Sequence, residues 1–286
     1  MKLFLLTALT MTAFAGNSVL NKFAVGPEAA DPMGFALIRI ASGAAMLVVL
    51  MVWRERGRMS WLASGEIGTA IALSAYLCGF SLAYLTLDTG AGALVLFGVV
   101  QLTMFGMALW RGEVISPWRY LGGAIAFLGL CVLLWPSADV EIGWVGPGFM
   151  IVAGIGWGLY SIAGARAMDA LAATTANFVF ATPMVLLVFA VFGSVSLTGA
   201  GVIAAMVSGA ITSALGYALW YQILPLMKTS TAALAQLSVP VIAALGGFAL
   251  LSEGVTWRFG LATLLVLGGI ALGLLRGAKP QVSPPD

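Results

Sequence analysis

The sequence predicts an all-α polytopic membrane protein: ten transmembrane helices forming two inverted five-helix repeats, with both termini cytoplasmic. Three observations carry that expectation. Of 286 residues, 61% are hydrophobic and only 8% are charged, against about 25% charged in a soluble domain. Charged, Gly- and Pro-containing breaks divide the chain into ten apolar stretches, each near the roughly 20 residues that a spanning helix needs. The lysines and arginines then fall mostly on one side of the resulting topology.

The first stretch, 3–24, begins in MKLFLLTALTM and continues TAFAGNSVLNKFAV. Lys2, the apolar run and Ala13-Phe14-Ala15 also fit a signal peptide with an A-x-A cleavage site. The internal repeat gives these residues a partner later in the chain and favours a retained helix. At 100° per residue, Asn17 and Asn21 lie about 40° apart, with Ser18, Lys22 and Phe14 beside them. Intramembrane polar groups face a bundle interior or a water-filled cavity, so one reading is a pathway-facing stripe that hydrogen-bonds substrate. The other is interhelical glue around Gly16 and Ser18. Lys22, near the outer end, is expected to snorkel to the interface.

The second stretch, 34–53, carries Arg39 one or two turns inside its outer end. Its guanidinium could take a substrate carboxylate bidentately, or bond backbone carbonyls or lipid phosphate. The third, 64–86, places Tyr76, Phe80 and Tyr84 at i, i+4 and i+8. Stretches 91–110, with Gln101, and 119–135 complete a first unit, 1–137. A second unit, 138–275, holds stretches 146–166 with Trp157 and Tyr160, and 174–192 with Pro183. It continues with 200–223, carrying Tyr217, Trp220 and Tyr221, then 230–251 with Gln236 and Pro240, and 259–275. An aromatic-lined cavity would bind apolar side chains by burial and stacking; core packing and interfacial belts are the alternatives, with Tyr84 and Tyr221 as belt candidates. Pro183 and Pro240 each remove a helix hydrogen bond and are hinge candidates, static kinks being the alternative. Gly154-Gly158 and Gly269-Gly273 read as packing faces. The segment 276–286, RGAKPQVSPPD, reads as a disordered cytoplasmic tail.

With the N-terminus inside, ten of the thirteen lysines and arginines are cytoplasmic, and only Lys22, Arg39 and Arg258 are not. The halves also match weakly but in order. At an offset of 143, Phe14 falls on Trp157, Asn17 on Tyr160, Ser18 on Ser161 and Phe35 on Phe178. At 140, Thr89 falls on Thr229, Ala93-Leu94 on Ala233-Leu234, Val99 on Val239, Gly106 on Gly246 and Glu113 on Glu253. Five spans per half is an odd number, so the second half enters the membrane inverted. Secondary transporters carry this signature, with the substrate near the midplane; a symmetric scaffold or a channel is the alternative.

These features, with LSVPVIAALGGFALLSE in the ninth stretch, resemble the drug/metabolite transporter superfamily in its EamA-domain branch, over residues 3–275. Within it the chain looks most like the YddG-type exporters of aromatic amino acids. That resemblance implies an inner-membrane carrier moving amino acids and related metabolites outward. The expected site comprises Asn17, Ser18, Asn21, Arg39, Tyr76, Phe80, Trp157, Tyr160, Tyr217, Trp220 and Gln236.

Other classes fit less well. With no histidine, HExxH peptidases, His-dependent serine proteases and haem ligation are excluded. Every aspartate falls in or beside a loop, so the chain does not read as an enzyme. Cys78 and Cys131 lie in apolar runs without a CxxC pattern, and no cofactor or metal is expected. A net charge of +2 gives nucleic acid no hold. No P-loop occurs and no acid or histidine lies mid-span, which points to a facilitative carrier. Phosphorylated substrates would need more cations than one deep arginine, and organic cations a membrane glutamate. The expected partners are a small-molecule substrate and membrane lipid, with a monomer as the working oligomeric state.

Overall fold

The computed structural model describes residues 1–26, 30–110, 116–134, 143–223, 226, 235–236 and 238–277. Glu28, Glu113, Asp139, Glu141, Thr229, Ala233, Leu234 and residues 278–286 of the tail lie outside the described residues.

Ten helices account for nearly all of what is described. They are α1 Lys2–Val25, α2 Pro32–Glu55, α3 Ile67–Ala83, α4 Thr89–Trp110 and α5 Pro117–Leu134. They continue as α6 Val145–Gly164, α7 Ala170–Phe192, α8 Gly199–Ile223, α9 Ser238–Leu251 and α10 Trp257–Gly277. The helix starts follow local chemistry. Asp31 accepts from the Gly34 N–H at 2.7 Å with Pro32 in the first turn of α2, Asp169 caps Ala172 at 3.0 Å, and Thr198 caps Gly201 at 3.1 Å. Strand pairing among the described residues is one antiparallel bridge, Ala30 with Leu197.

Six helices (α1, α2, α4, α6, α7 and α8) are long and apolar enough to cross a bilayer, while α3, α5, α9 and α10 contain shorter apolar segments. The 17 residues of α3 reach about 25 Å at 1.5 Å per residue, against a hydrocarbon core of about 30 Å. A 3-10 turn, Ser60–Ser64, occupies part of the sequence-predicted start of that span. Large apolar side chains are exposed on the outside of the bundle, among them Phe4, Leu9, Val49, Leu187, Phe248 and Leu264. Such a surface would aggregate in water and is the ordinary surface of a protein in lipid. The chain is a multi-pass helical membrane protein.

Helix packing is pairwise. α5 lies against α10, α3 against α6 and α7, and α2 against α7 and α8; α4 meets α6 and α9, and α1 meets α8 and α9. The α5–α10 seam shows how small residues set the approach. A Cβ on Gly122 would stand 2.3 Å from the Gly269 carbonyl oxygen, so only glycine fits there.

Candidate functional site

The polar stripe of α1 faces inward: Asn17, Ser18 and Asn21 are all buried. Asn17 meets an irregular part of α8, where Ser208–Leu215 winds as a π-helix. The wider π turn shifts the residues that follow it relative to an α-helical register, and three hydroxyls arrive at one acceptor. Asn17 Oδ1 accepts from Ser208 Oγ at 2.9 Å, Thr212 Oγ1 at 2.6 Å and Ser213 Oγ at 3.1 Å. Its Nδ2 donates to the Thr212 carbonyl at 3.4 Å. Asn17 thus fastens α1 to α8, as the packing alternative requires, while also lining the cavity described below. Asn21 is held elsewhere, its Nδ2 donating to Ser81 Oγ at 3.0 Å.

Arg39 is fully buried. Its Nε donates to Ser213 Oγ at 2.9 Å, and its Nη2 to the hydroxyls of Tyr76 at 2.9 Å and Tyr217 at 3.0 Å. Those hydroxyls are 3.0 Å apart and share a hydrogen bond. The guanidinium carbon lies 5.4 Å from the Tyr76 ring centre and 5.1 Å from that of Phe80, within cation–π range. Arg39 Nη1 has no hydrogen-bond partner among the described residues. Ion pairs among the described residues are those of Arg54, with Glu55 and Asp169. The alternatives of carbonyl or lipid phosphate contacts for Arg39 are therefore corrected: three hydroxyls hold it away from lipid. Gly209 permits this closeness, since a Cβ there would lie 2.1 Å from the Arg39 carbonyl oxygen.

Beside this cluster lies a small cavity lined by Phe14, Asn17, Ser18, Tyr76, Phe80, Leu96, Phe97, Trp157 and Tyr217. It has room for about one water molecule. Its wall is a continuous aromatic assembly. Phe14 meets Trp157, Tyr217 and Trp220 edge-on at 5.7, 5.7 and 5.8 Å. Trp157 tilts against Tyr76 at 5.0 Å and Tyr217 at 4.6 Å. Tyr160 stacks between Trp157 and Tyr221, at 5.5 and 5.8 Å, one layer behind the wall.

Of the expected residues, Asn17, Ser18, Tyr76, Phe80, Trp157 and Tyr217 line this cavity. Arg39, Tyr160 and Trp220 contact its wall. Asn21 and Gln236 are buried but do not line it. Pro183 sits inside α7 with its ring exposed, and Pro240 is buried near the start of α9. The belt reading of Tyr84 and Tyr221 is corrected, because both are buried. Tyr84 donates to the Thr89 carbonyl, and Tyr221 to that of Tyr160, each at 3.3 Å. Lys22 reaches the Tyr84 carbonyl at 3.4 Å. The sequence reading did not pick out Leu96, Phe97, Ser208, Thr212 or Ser213. The last three, at i, i+4 and i+5 of an apolar helix, were the available signal.

A helical bundle with an apolar outer surface and an aromatic-walled site among its helices defines a multi-pass membrane protein. The sequence model of the EamA-like transporter family matches residues 144–275. The chain is 45% identical to an uncharacterized protein of Pseudomonas aeruginosa, over 94% of this chain and 93% of that one. It is 24% identical to an uncharacterized transporter of Archaeoglobus fulgidus, over 95% of this chain and 96% of that one. A solved protein crystal structure shares the fold, with a TM-score of 0.67 at 19% identity over 97% of this chain and 98% of that one.

Proposed function

We propose that this transporter exports aromatic and neutral amino acids and related metabolites across the inner membrane by facilitative alternating access. The observation that carries the reading is the cavity wall: aromatic rings from α1, α3, α6 and α8 surround a buried arginine and a polar stripe. A zwitterion with an apolar side chain offers both kinds of surface. Rings give a sequence of side chains tolerant burial, while the guanidinium takes the acid group.

The ten-span, two-repeat architecture, with units 1–137 and 138–275 and both termini cytoplasmic, belongs to the same proposal. Helix packing supports it. Moving every helix five places on turns the α3–α6 contact into α8–α1, α4–α6 into α9–α1, and α3–α7 into α8–α2; the α5–α10, α2–α7 and α4–α9 contacts map onto themselves. A site between exchanged halves is where inverted-repeat carriers bind substrate. The cavity is too small for an amino acid, so substrate entry needs the helices around it to separate.

Counterflow in proteoliposomes tests the reading. Vesicles preloaded with millimolar phenylalanine or threonine receive trace labelled substrate, with Asn17→Ala and Trp157→Ala beside the wild type. Saturable accumulation, weakened at least about tenfold in Trp157→Ala, is expected for a ring at the site itself. Absence of accumulation with every amino acid, in protein shown to be folded, would replace the substrate class by organic cations or the mechanism by a channel.

A further inference from the structure

Resting on the transporter reading, we infer that the cavity is a carboxylate site that does not require an amino group: monocarboxylic acids with an apolar side chain are substrates, amines and carboxamides are not. The observation is the charge balance around Arg39. Its guanidinium is fully buried and meets three hydroxyl oxygens and two aromatic faces, all of them neutral. One terminal nitrogen has no hydrogen-bond partner among the described residues. A buried cation ordinarily stands beside a fixed anion, because desolvating it alone is costly. Among the described residues no carboxylate pairs with Arg39. Nothing among the described residues supplies that charge, and a ligand carboxylate would.

Geometry brings that charge to the cavity side. Two of the hydroxyls on Arg39 belong to Tyr76 and Tyr217, which line the cavity, and so does the Phe80 ring under the guanidinium. Tyr217 and Tyr76 share one hydrogen bond and both accept from Nη2. Two hydroxyls have two protons, so one remains to be donated to an incoming oxygen. A carboxylate between these tyrosines finds an O–H donor and an unopposed positive field, and replacing a hydroxyl on Nη2 would give it a charge-assisted bond.

An ammonium finds much less. Among the described residues no carboxylate lines the cavity. The amide acceptor there, Asn17 Oδ1, is already surrounded by the hydroxyls of Ser208, Thr212 and Ser213 within 3.1 Å. What remains is the Ser18 hydroxyl and the ring faces, against repulsion from Arg39. In a zwitterion the acid group cancels that repulsion; in a simple amine nothing does. The amino group of an amino acid is tolerated, and the acid group is selected.

Four ligands of one side chain separate the possibilities: 3-phenylpropionate, phenylalanine, phenylalaninamide and phenethylamine. Binding is measured calorimetrically to the purified full chain in nanodiscs, with Arg39→Gln and Tyr76→Phe beside the wild type. The acid is expected to bind within about threefold of phenylalanine, and the amine and amide at least about thirtyfold more weakly, the lower range for losing one partner of a buried charge pair. Arg39→Gln is expected to remove that preference, and Tyr76→Phe, which keeps the ring, to reduce it. Phenethylamine binding as tightly as 3-phenylpropionate overturns the inference, as does failure of the acid to bind. The wild-type series decides this even if Arg39→Gln does not fold. If phenylalanine binds and the acid does not, the amino-acid reading stands and this one falls. If the acid binds and phenylalanine does not, the reverse holds.

Discussion

At the residue scale, Gly209 controls how closely α2 and α8 approach, and through that approach the Arg39–Ser213 bond. A methyl group there would meet the Arg39 carbonyl oxygen at 2.1 Å, and neither backbone can turn aside as a side chain could. Gly209→Ala is expected to cost about 1–3 kcal/mol, the range for overpacking a tight interior. Thermal unfolding in detergent measures it, and an unchanged midpoint would mean that the two helices have slack at this contact. The side chains on either side of this contact differ in how readable they were. Asn17, Arg39 and the aromatic residues stand out in the sequence because polar or large groups in apolar helices need a reason. Ser208, Thr212 and Ser213 did not stand out, since small hydroxyl residues can satisfy themselves on the preceding helical turn and are common in membrane helices. Tyr84 and Tyr221 were misread for a related reason. An aromatic residue near a span end has the same identity whether it points at headgroups or into the bundle, and only the rotation of the helix distinguishes them.

At the scale of elements, helix positions were legible because composition alone marks where apolar runs stop, and capping residues such as Asp31, Asp169 and Thr198 stand at those stops. The π segment of α8 was not, because its register depends on what Asn17 and Arg39 offer across the interface. One junction between elements has a pH dependence that can be worked out. Asp169 caps α7 and accepts a two-pronged hydrogen bond from Arg54 at the end of α2, one prong being Nη1 to Oδ1 at 3.2 Å. Partial burial pushes the Asp169 carboxyl up, but the Arg54 bond and the Ala172 N–H outweigh it and hold the group below its ordinary range. A carboxyl lowered on folding contributes stability above its unfolded pKa, near 3.9, and that contribution fades as pH falls through the folded value. The two side chains are 38% and 43% exposed, so solvent screening limits the pair to about 1 kcal/mol or less. Asp169→Asn keeps a competent cap and removes the charge. Its unfolding midpoint is expected to sit slightly below wild type at pH 7 and to converge with it as the pH approaches 3. Parallel curves at all pH values would show that the pair contributes nothing.

For the whole molecule, the question is which contacts have to break for the small cavity to widen enough for a substrate. On the proposed topology the α1–α2 and α7–α8 connections lie at the outer surface. They are joined there by the Ala30–Leu197 bridge and by the Asp31 N–H, which donates to the Ser196 carbonyl at 2.7 Å. These two connections belong to different units of the proposed repeat, so an outward opening that moves one unit against the other has to part them. An antiparallel bridge holds its Cα atoms about 4.5–5.5 Å apart, within the range a disulfide spans. Paired Ala30→Cys and Leu197→Cys substitutions are therefore expected to cross-link on oxidation. The native thiols, Cys78 and Cys131, are half-buried in α3 and α5, and the single variants control for them. If transport requires that parting, oxidation lowers counterflow at least about tenfold and reduction restores it, while calorimetric binding of the ligands persists. Counterflow unaffected by a complete cross-link would exclude separation of these connections from the transport cycle. It would place the moving boundary elsewhere in the bundle, with the α4–α9 contact the next to test because Glu253 there holds the Thr89 N–H and hydroxyl at 2.9 Å.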